Sequence, residues 1–242
     1  MITLGIDLAS KAKNTAACRL NWQGNGATDV SLDLNITDEI LLELAITAEK
    51  VGIDVPFGWP DTFVRAVTAH HLQQPWPPAL TNDLRLRKTD VLVWQATRKQ
   101  PLSVSTDKIA GPALRMAALM VKLAEMGRPV DRTGAGLFVE VYPAAALRRW
   151  GIANAKKDTP QLLPALLSRA PWLKLSDEAM ALCSRSRDAI DSLVAALAAR
   201  AAALGLCDQL PEAERQRVAG EGWIALPMAG SLERLSGAQA NG

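Results

Sequence analysis

The sequence is poor in the side chains from which many sites are built. Only three cysteines occur, Cys18, Cys183 and Cys207. They are odd in number and share no paired spacing, which argues against a disulfide framework or a zinc knuckle. Reduced thiols in a cytoplasmic protein fit this usage. The two histidines, His70 and His71, are adjacent, so a helix would send them to different faces. They read as surface residues, and none lies near the acidic motifs described below. Charge of one sign is also lacking: 27 Lys and Arg against 25 Asp and Glu leave +2. That balance neither requires nor excludes nucleic acid, and any attraction must come from local patches. No leader is seen, since Met1 runs straight into a strand-like segment. The most apolar helical stretch carries Asp188, Asp191 and Arg200, which does not suit a membrane span. There is no repeat, no low-complexity tract, and no glycine-rich phosphate loop apart from Gly220-Glu221-Gly222.

What is present reads as one globular domain, with 49% hydrophobic and 21% charged residues. Residues 2–9, 15–22 and 27–35 are predicted strands, the second pair joined at Gln23-Gly24-Asn25-Gly26, a hairpin signal. Thr37 and Asp38 cap a helix with an apolar stripe through Ile40, Leu41, Leu44 and Ala48. Val51 to Val55 is a short strand that stops at Pro56-Phe57-Gly58-Trp59-Pro60. Residues 61–111 have weak patterning and read as an insertion of short helices and loops. A helix is predicted over 112–126, a strand over 137–142, and helices over 143–150, 159–170 and 177–183. Residues 223–226 are either a last short strand or a packing loop. This β-β-β-α-β-α-β-α order gives an α/β domain over 1–235 with a mixed five-stranded sheet flanked by helices. Residues 236–242 are expected to be a disordered tail.

Three strands each hold one acid among apolar neighbours: Asp7, Asp54 and Glu140. The carboxyl end of a core strand is where open α/β sheets place their sites. The late helix opens on Arg187-Asp188-Ala189-Ile190-Asp191, and three residues along a helix put both aspartates on one face. In the simpler reading they face water in a first turn, where the helix dipole favours acids. The alternative packs that helix on the sheet and gathers four or five carboxylates at one edge. Such a cluster repels itself unless divalent cations compensate it, and oxygen-only donors select Mg²⁺ or Mn²⁺.

Several segments carry a family resemblance. They are residues 5–9, 53–60, Arg87-Lys88-Thr89-Asp90, residues 103–107, Glu140-Val141-Tyr142-Pro143 and Asp188-Ala189-Ile190-Asp191. Together they resemble the domain-of-unknown-function family 429, described as predicted nucleases of the RNase H-like superfamily. The resemblance implies an RNase H-like fold and a Mg²⁺- or Mn²⁺-dependent nuclease or phosphodiesterase. Asp7, Asp54, Asp188 and Asp191 would be the catalytic residues and metal ligands. Glu140 would be a further ligand, or would orient Tyr142 or an arginine. An aspartate at the fourth strand is shorter than the usual glutamate, and its reach could cost one metal site.

Arg87 and Lys88, with Arg85, Arg98, Lys99 and Trp94, form a basic–aromatic stretch suited to phosphates and bases. A solvated loop with inward-packed tryptophans accounts for it equally simply. Asp107 and Lys108 are further substrate-contacting candidates. Nucleic acid, DNA or RNA, is the expected partner; a homodimer is left open, with no seam identified. Two rivals stand beside the hydrolase reading. One is an actin-like nucleotide-dependent phosphotransferase or ATPase, kept in view by Gly220-Glu221-Gly222. The other is a non-catalytic nucleic-acid-binding protein with vestigial acids.

Overall fold

A computed structural model describes residues 1–79, 81–152 and 159–237. In chain order the strands and helices are β1 (Ile2–Asp7), β2 (Ala16–Gln23), β3 (Gly26–Leu34), α1 (Asp38–Ile46), β4 (Lys50–Asp54) and α2 (Asp61–His71). There follow α3 (Thr81–Arg85), α4 (Lys88–Thr97), α5 (Ala110–Glu125), β5 (Phe138–Glu140), α6 (Pro143–Arg149) and α7 (Thr159–Arg169). The last are β6 (Leu173–Lys174), α8 (Asp177–Arg185), α9 (Arg187–Ala203) and α10 (Arg215–Glu221).

The sheet is six-stranded and mixed, in the order β5-β4-β1-β2-β3-β6. An antiparallel meander of β1, β2 and β3 carries β4 and β5 in parallel on its β1 side. The expected five strands are therefore corrected to six. The addition, β6, pairs with β3 only through Ala27 and Thr28. Two residues are too few to show a period of two, which is why it went unread. The hairpin turn falls on Gly24-Asn25, with Gly24 at φ 53°. Residues 223–226 form a packing loop whose contact with β5 is a single bridge from Ile224 to Glu140. Ser236 is 4% exposed, so the expected tail is anchored there, and its end, 238–242, lies outside the described residues.

Alternation along the strands divides the core. Leu4, Ile6, Val51 and Ile53 pack to one side, with Leu41 of α1 and Met116 and Leu119 of α5. Cys18, Leu20, Trp22 and Val139 pack to the other, under α9 and helices α6 to α8. The insertion becomes α2 to α4 and the loops around them, and Arg87 at the start of α4 reaches Glu140 at the end of β5. All three cysteines are buried and unpaired. No described helix is long and apolar enough to cross a membrane.

What positions the site is how closely α9 lies on the sheet. Eleven of its residues between Ala189 and Ala201 are buried, most of them alanine. Gly5 and Gly52 face each other in register across β1 and β4. A Cβ at Gly5 would collide with the backbone of Ser192 and Ala196, and one at Gly52 would stand 2.5 Å from the Ala195 carbonyl oxygen. The two glycines thus form a bare strip on which the helix backbone rests directly.

Candidate functional site

Two residues beyond each of those glycines, on the same face of the sheet, stand Asp7 and Asp54. They are the last residues of β1 and β4 and are themselves register partners. The helix runs over the glycine strip so that its first turns reach this end. Ser186 caps α9 by accepting from the Ala189 N–H, leaving Asp188 and Asp191 in the opening turns. All four aspartates are half-buried rather than bathed in solvent.

Their mutual influence shows in the proton affinities. Burial, then the Asp191 and Asp188 carboxylates, push Asp7 up to about 8, and Asp7 also shares a hydrogen bond with Asp188. Burial, then Asp7 and Asp191, drive Asp54 well above the ordinary carboxylate range. Asp191 is raised too, by burial and by Asp188, against the pull of Arg187. Arg187 is the cation these acids share: its Nε donates to Asp191 Oδ2 at 2.8 Å, and Asp7 and Asp54 both feel its charge. One guanidinium would not balance all four as carboxylates, and Asp7 accordingly keeps its proton at neutral pH. The second oxygen of Asp191, Oδ1, is buried and has no hydrogen-bond partner among the described residues.

That orphaned oxygen, and acids that can ionise together only against added positive charge, fit a cation. Oxygen donors without sulfur or imidazole fit a hard one, Mg²⁺ or Mn²⁺. As the side chains stand, no three acids, histidines or cysteines among the described residues are arranged to hold an ion. Binding would therefore draw the carboxylates inward by side-chain rotation, with the two strand ends already fixed as neighbours.

Glu140 is not in this group. Alternation turns it to the other face of the sheet, where it is 2% exposed. Its oxygens accept from Arg87 at 2.6 and 2.8 Å and from the Phe57 N–H at 2.9 Å. Arg87 is 1% exposed and also holds the fully buried Asp90 at 2.8 Å. Burial opposes the charged guanidinium, but Asp90 and Glu140 outweigh it and raise its proton affinity further. Arg87, a candidate phosphate contact, is thus committed to the interior, and Glu140 orients an arginine. The adjoining Glu221, 0% exposed, accepts from the N–H groups of Asp61 and Lys88 and from Arg217. Lys88 itself pairs with Glu214 at 2.9 Å.

A family model for "Protein of unknown function (DUF429)" matches residues 5–216. The chain belongs to this family. The matched span takes in every aspartate of the cluster, together with Arg87 and Glu140. No curated protein and no solved structure matches the chain.

In this family member the cluster opens onto a cleft of about 530 Å³. Asp54, Asp191 and Arg187 line one part of it, and Lys108, Leu102 and Tyr142 stand elsewhere along its walls. Lys108 is exposed, while Asp107 caps its own loop by accepting from the Ser103 N–H at 2.8 Å. Trp94 and Trp76 are 41% and 52% exposed rather than packed inward, and Arg98 lies over the Trp94 ring. His70 and His71 are exposed, as expected. Sequence reading missed the roles of Arg187 and Tyr142. Arg187 had a signal: four residues before Asp191 on a helix is salt-bridge spacing.

Proposed function

We propose that the chain is a divalent-cation-dependent phosphodiesterase of RNase H-like fold that hydrolyses nucleic acid at the aspartate cluster. The observation carrying this reading is the convergence of Asp7, Asp54, Asp188 and Asp191 around one arginine, with Asp191 Oδ1 buried and without a partner among the described residues. The meander followed by parallel strands, with acids on β1, β4 and α9, supports the RNase H-like assignment.

Asp7 and Asp54, fixed by strand register, would present oxygens from the sheet, and Asp188 and Asp191 from the helix. Arg187 holds Asp191 through Oδ2, which leaves Oδ1 as the free donor. Mg²⁺ or Mn²⁺ held here would neutralise phosphate charge and activate water at neutral pH. The same arginine lines the cleft, where it is placed to attract a phosphate. Gly220-Glu221-Gly222, the segment that favoured phosphotransfer, is occupied by packing. Gly58 abuts the Gly220 carbonyl, and a Cβ at Gly222 would stand 2.8 Å from Glu140 Oε2.

The test is cleavage of labelled single- and double-stranded DNA and RNA by purified protein with Mn²⁺. Cleavage is expected, lost with chelator and reduced roughly a hundredfold or more in Asp7→Asn. Equal cleavage by the variant would remove Asp7 from the site.

A further inference from the structure

We infer that the cleft beside the aspartates admits one unpaired nucleotide, so that the substrate is a strand end or single strand rather than intact duplex. This rests on the phosphodiesterase reading of the cluster and adds the form of the substrate.

Size is the first reason. A cleft of about 530 Å³ lies in the range of small-molecule sites and suits a base with its sugar, whereas a duplex is far too broad to enter. The acids are also recessed. Asp54 and Asp191 are half-buried and line the cleft, so a phosphate reaches them through it. Flat apposition of a double helix against the surface would leave its backbone outside.

The walls are the second reason. One comes from residues 99–102 and 108–109, the loops after α4 and before α5. The other comes from residues 54–56 and 140–144, the ends of β4 and β5 and the start of α6. The Tyr142 hydroxyl donates to the Gln100 carbonyl at 3.3 Å and ties the two walls together. Leu102, 45% exposed, and the half-buried Tyr142 ring offer apolar surface to a base. Arg187 and Lys108 offer positive charge to its phosphates. An apolar slot with cations and a carboxylate floor matches a single nucleotide in each part.

The test uses metal-free protein first. Adenosine and thymidine monophosphates are titrated while the melting temperature is followed, with wild type, Leu102→Ala and Lys108→Glu compared. Leu102 and Lys108 are exposed, so both variants should fold with unchanged melting temperatures in buffer. A rise in wild type, with affinity roughly tenfold weaker in both variants, is expected. With Mn²⁺, blunt duplex, duplex with an overhang and single strand are then compared; cleavage confined to unpaired nucleotides is expected. Blunt duplex cut as fast as single strand, or nucleotide affinity absent or equal in all three proteins, would overturn the inference. Nucleotide binding lost in the variants, with no cleavage of any substrate, would leave the cleft assignment standing and remove the hydrolase reading instead.

Discussion

Arg87 shows how one side chain changes meaning between sequence and structure. In the sequence it belongs to a basic stretch, and phosphate contact is a natural reading. In the structure it joins α4 to β5 through Glu140 and Asp90, and donates to the Glu221 carbonyl at 3.1 Å. No spacing rule links residue 87 to residue 140, and with apolar residues on both sides of it the segment 137–142 does not reveal which face Glu140 takes. Removing the guanidinium leaves two buried carboxylates without their cation. Arg87→Ala should therefore destabilise the fold by about 3–5 kcal/mol, read as a lower urea midpoint. A variant of wild-type stability with weakened substrate binding alone would mark Arg87 as a surface contact. The aspartates were legible for the opposite reason: a lone acid ending an apolar strand has a cost that composition alone exposes.

At the scale of elements, α9 and the β1–β4 pair form the unit that makes the site. Its alanine-rich run was readable as a buried helix, and the glycines at positions 5 and 52 were visible in the motifs around Asp7 and Asp54. Their pairing was not, because register belongs to the folded sheet. Gly52→Ala sets a methyl against the Ala195 carbonyl and should cost about 3 kcal/mol, the upper part of the over-packing range. The same variant should lose cation affinity, because the helix must lift and carry Asp188 and Asp191 with it. Urea unfolding and Mn²⁺ titration on the one variant check both; unchanged stability would mean that the helix does not rest on the strip. The helices of residues 61–111 were harder to read. Their apolar faces are short, and Val64, Val67 and Leu72 remain exposed, so no stripe emerges from the sequence.

For the whole molecule, the cluster links stability to pH and to metal. Folded Asp7 keeps its proton up to about pH 8, against an ordinary value of 3.8. The folded state therefore binds more protons between those limits, so this contribution is full below pH 4 and is lost as pH rises towards 8. Asp54 and Asp191, also raised, act in the same direction. Metal-free protein should accordingly melt at lower temperature at pH 8 than at pH 5, and Asp7→Asn should flatten that slope. Thermal melts across this range check the sign, and a slope of opposite sign would mean that the acids are not in one another's field. The fold as a whole was more legible than the site, since strand and helix periodicities are local. The site depends on which faces meet.

Calorimetric titration of Mn²⁺ into metal-free protein near neutral pH, repeated in buffers of different ionisation enthalpy, tests the convergence of the four aspartates most directly. Binding with release of protons is predicted, because the ion must displace the proton that Asp7 keeps up to about pH 8, beside Asp54 and Asp191, whose proton affinities are raised by burial. Asp54→Asn should abolish it. Absence of binding by the wild type, or undiminished binding by Asp54→Asn, would contradict a cation site at the end of β1 and β4.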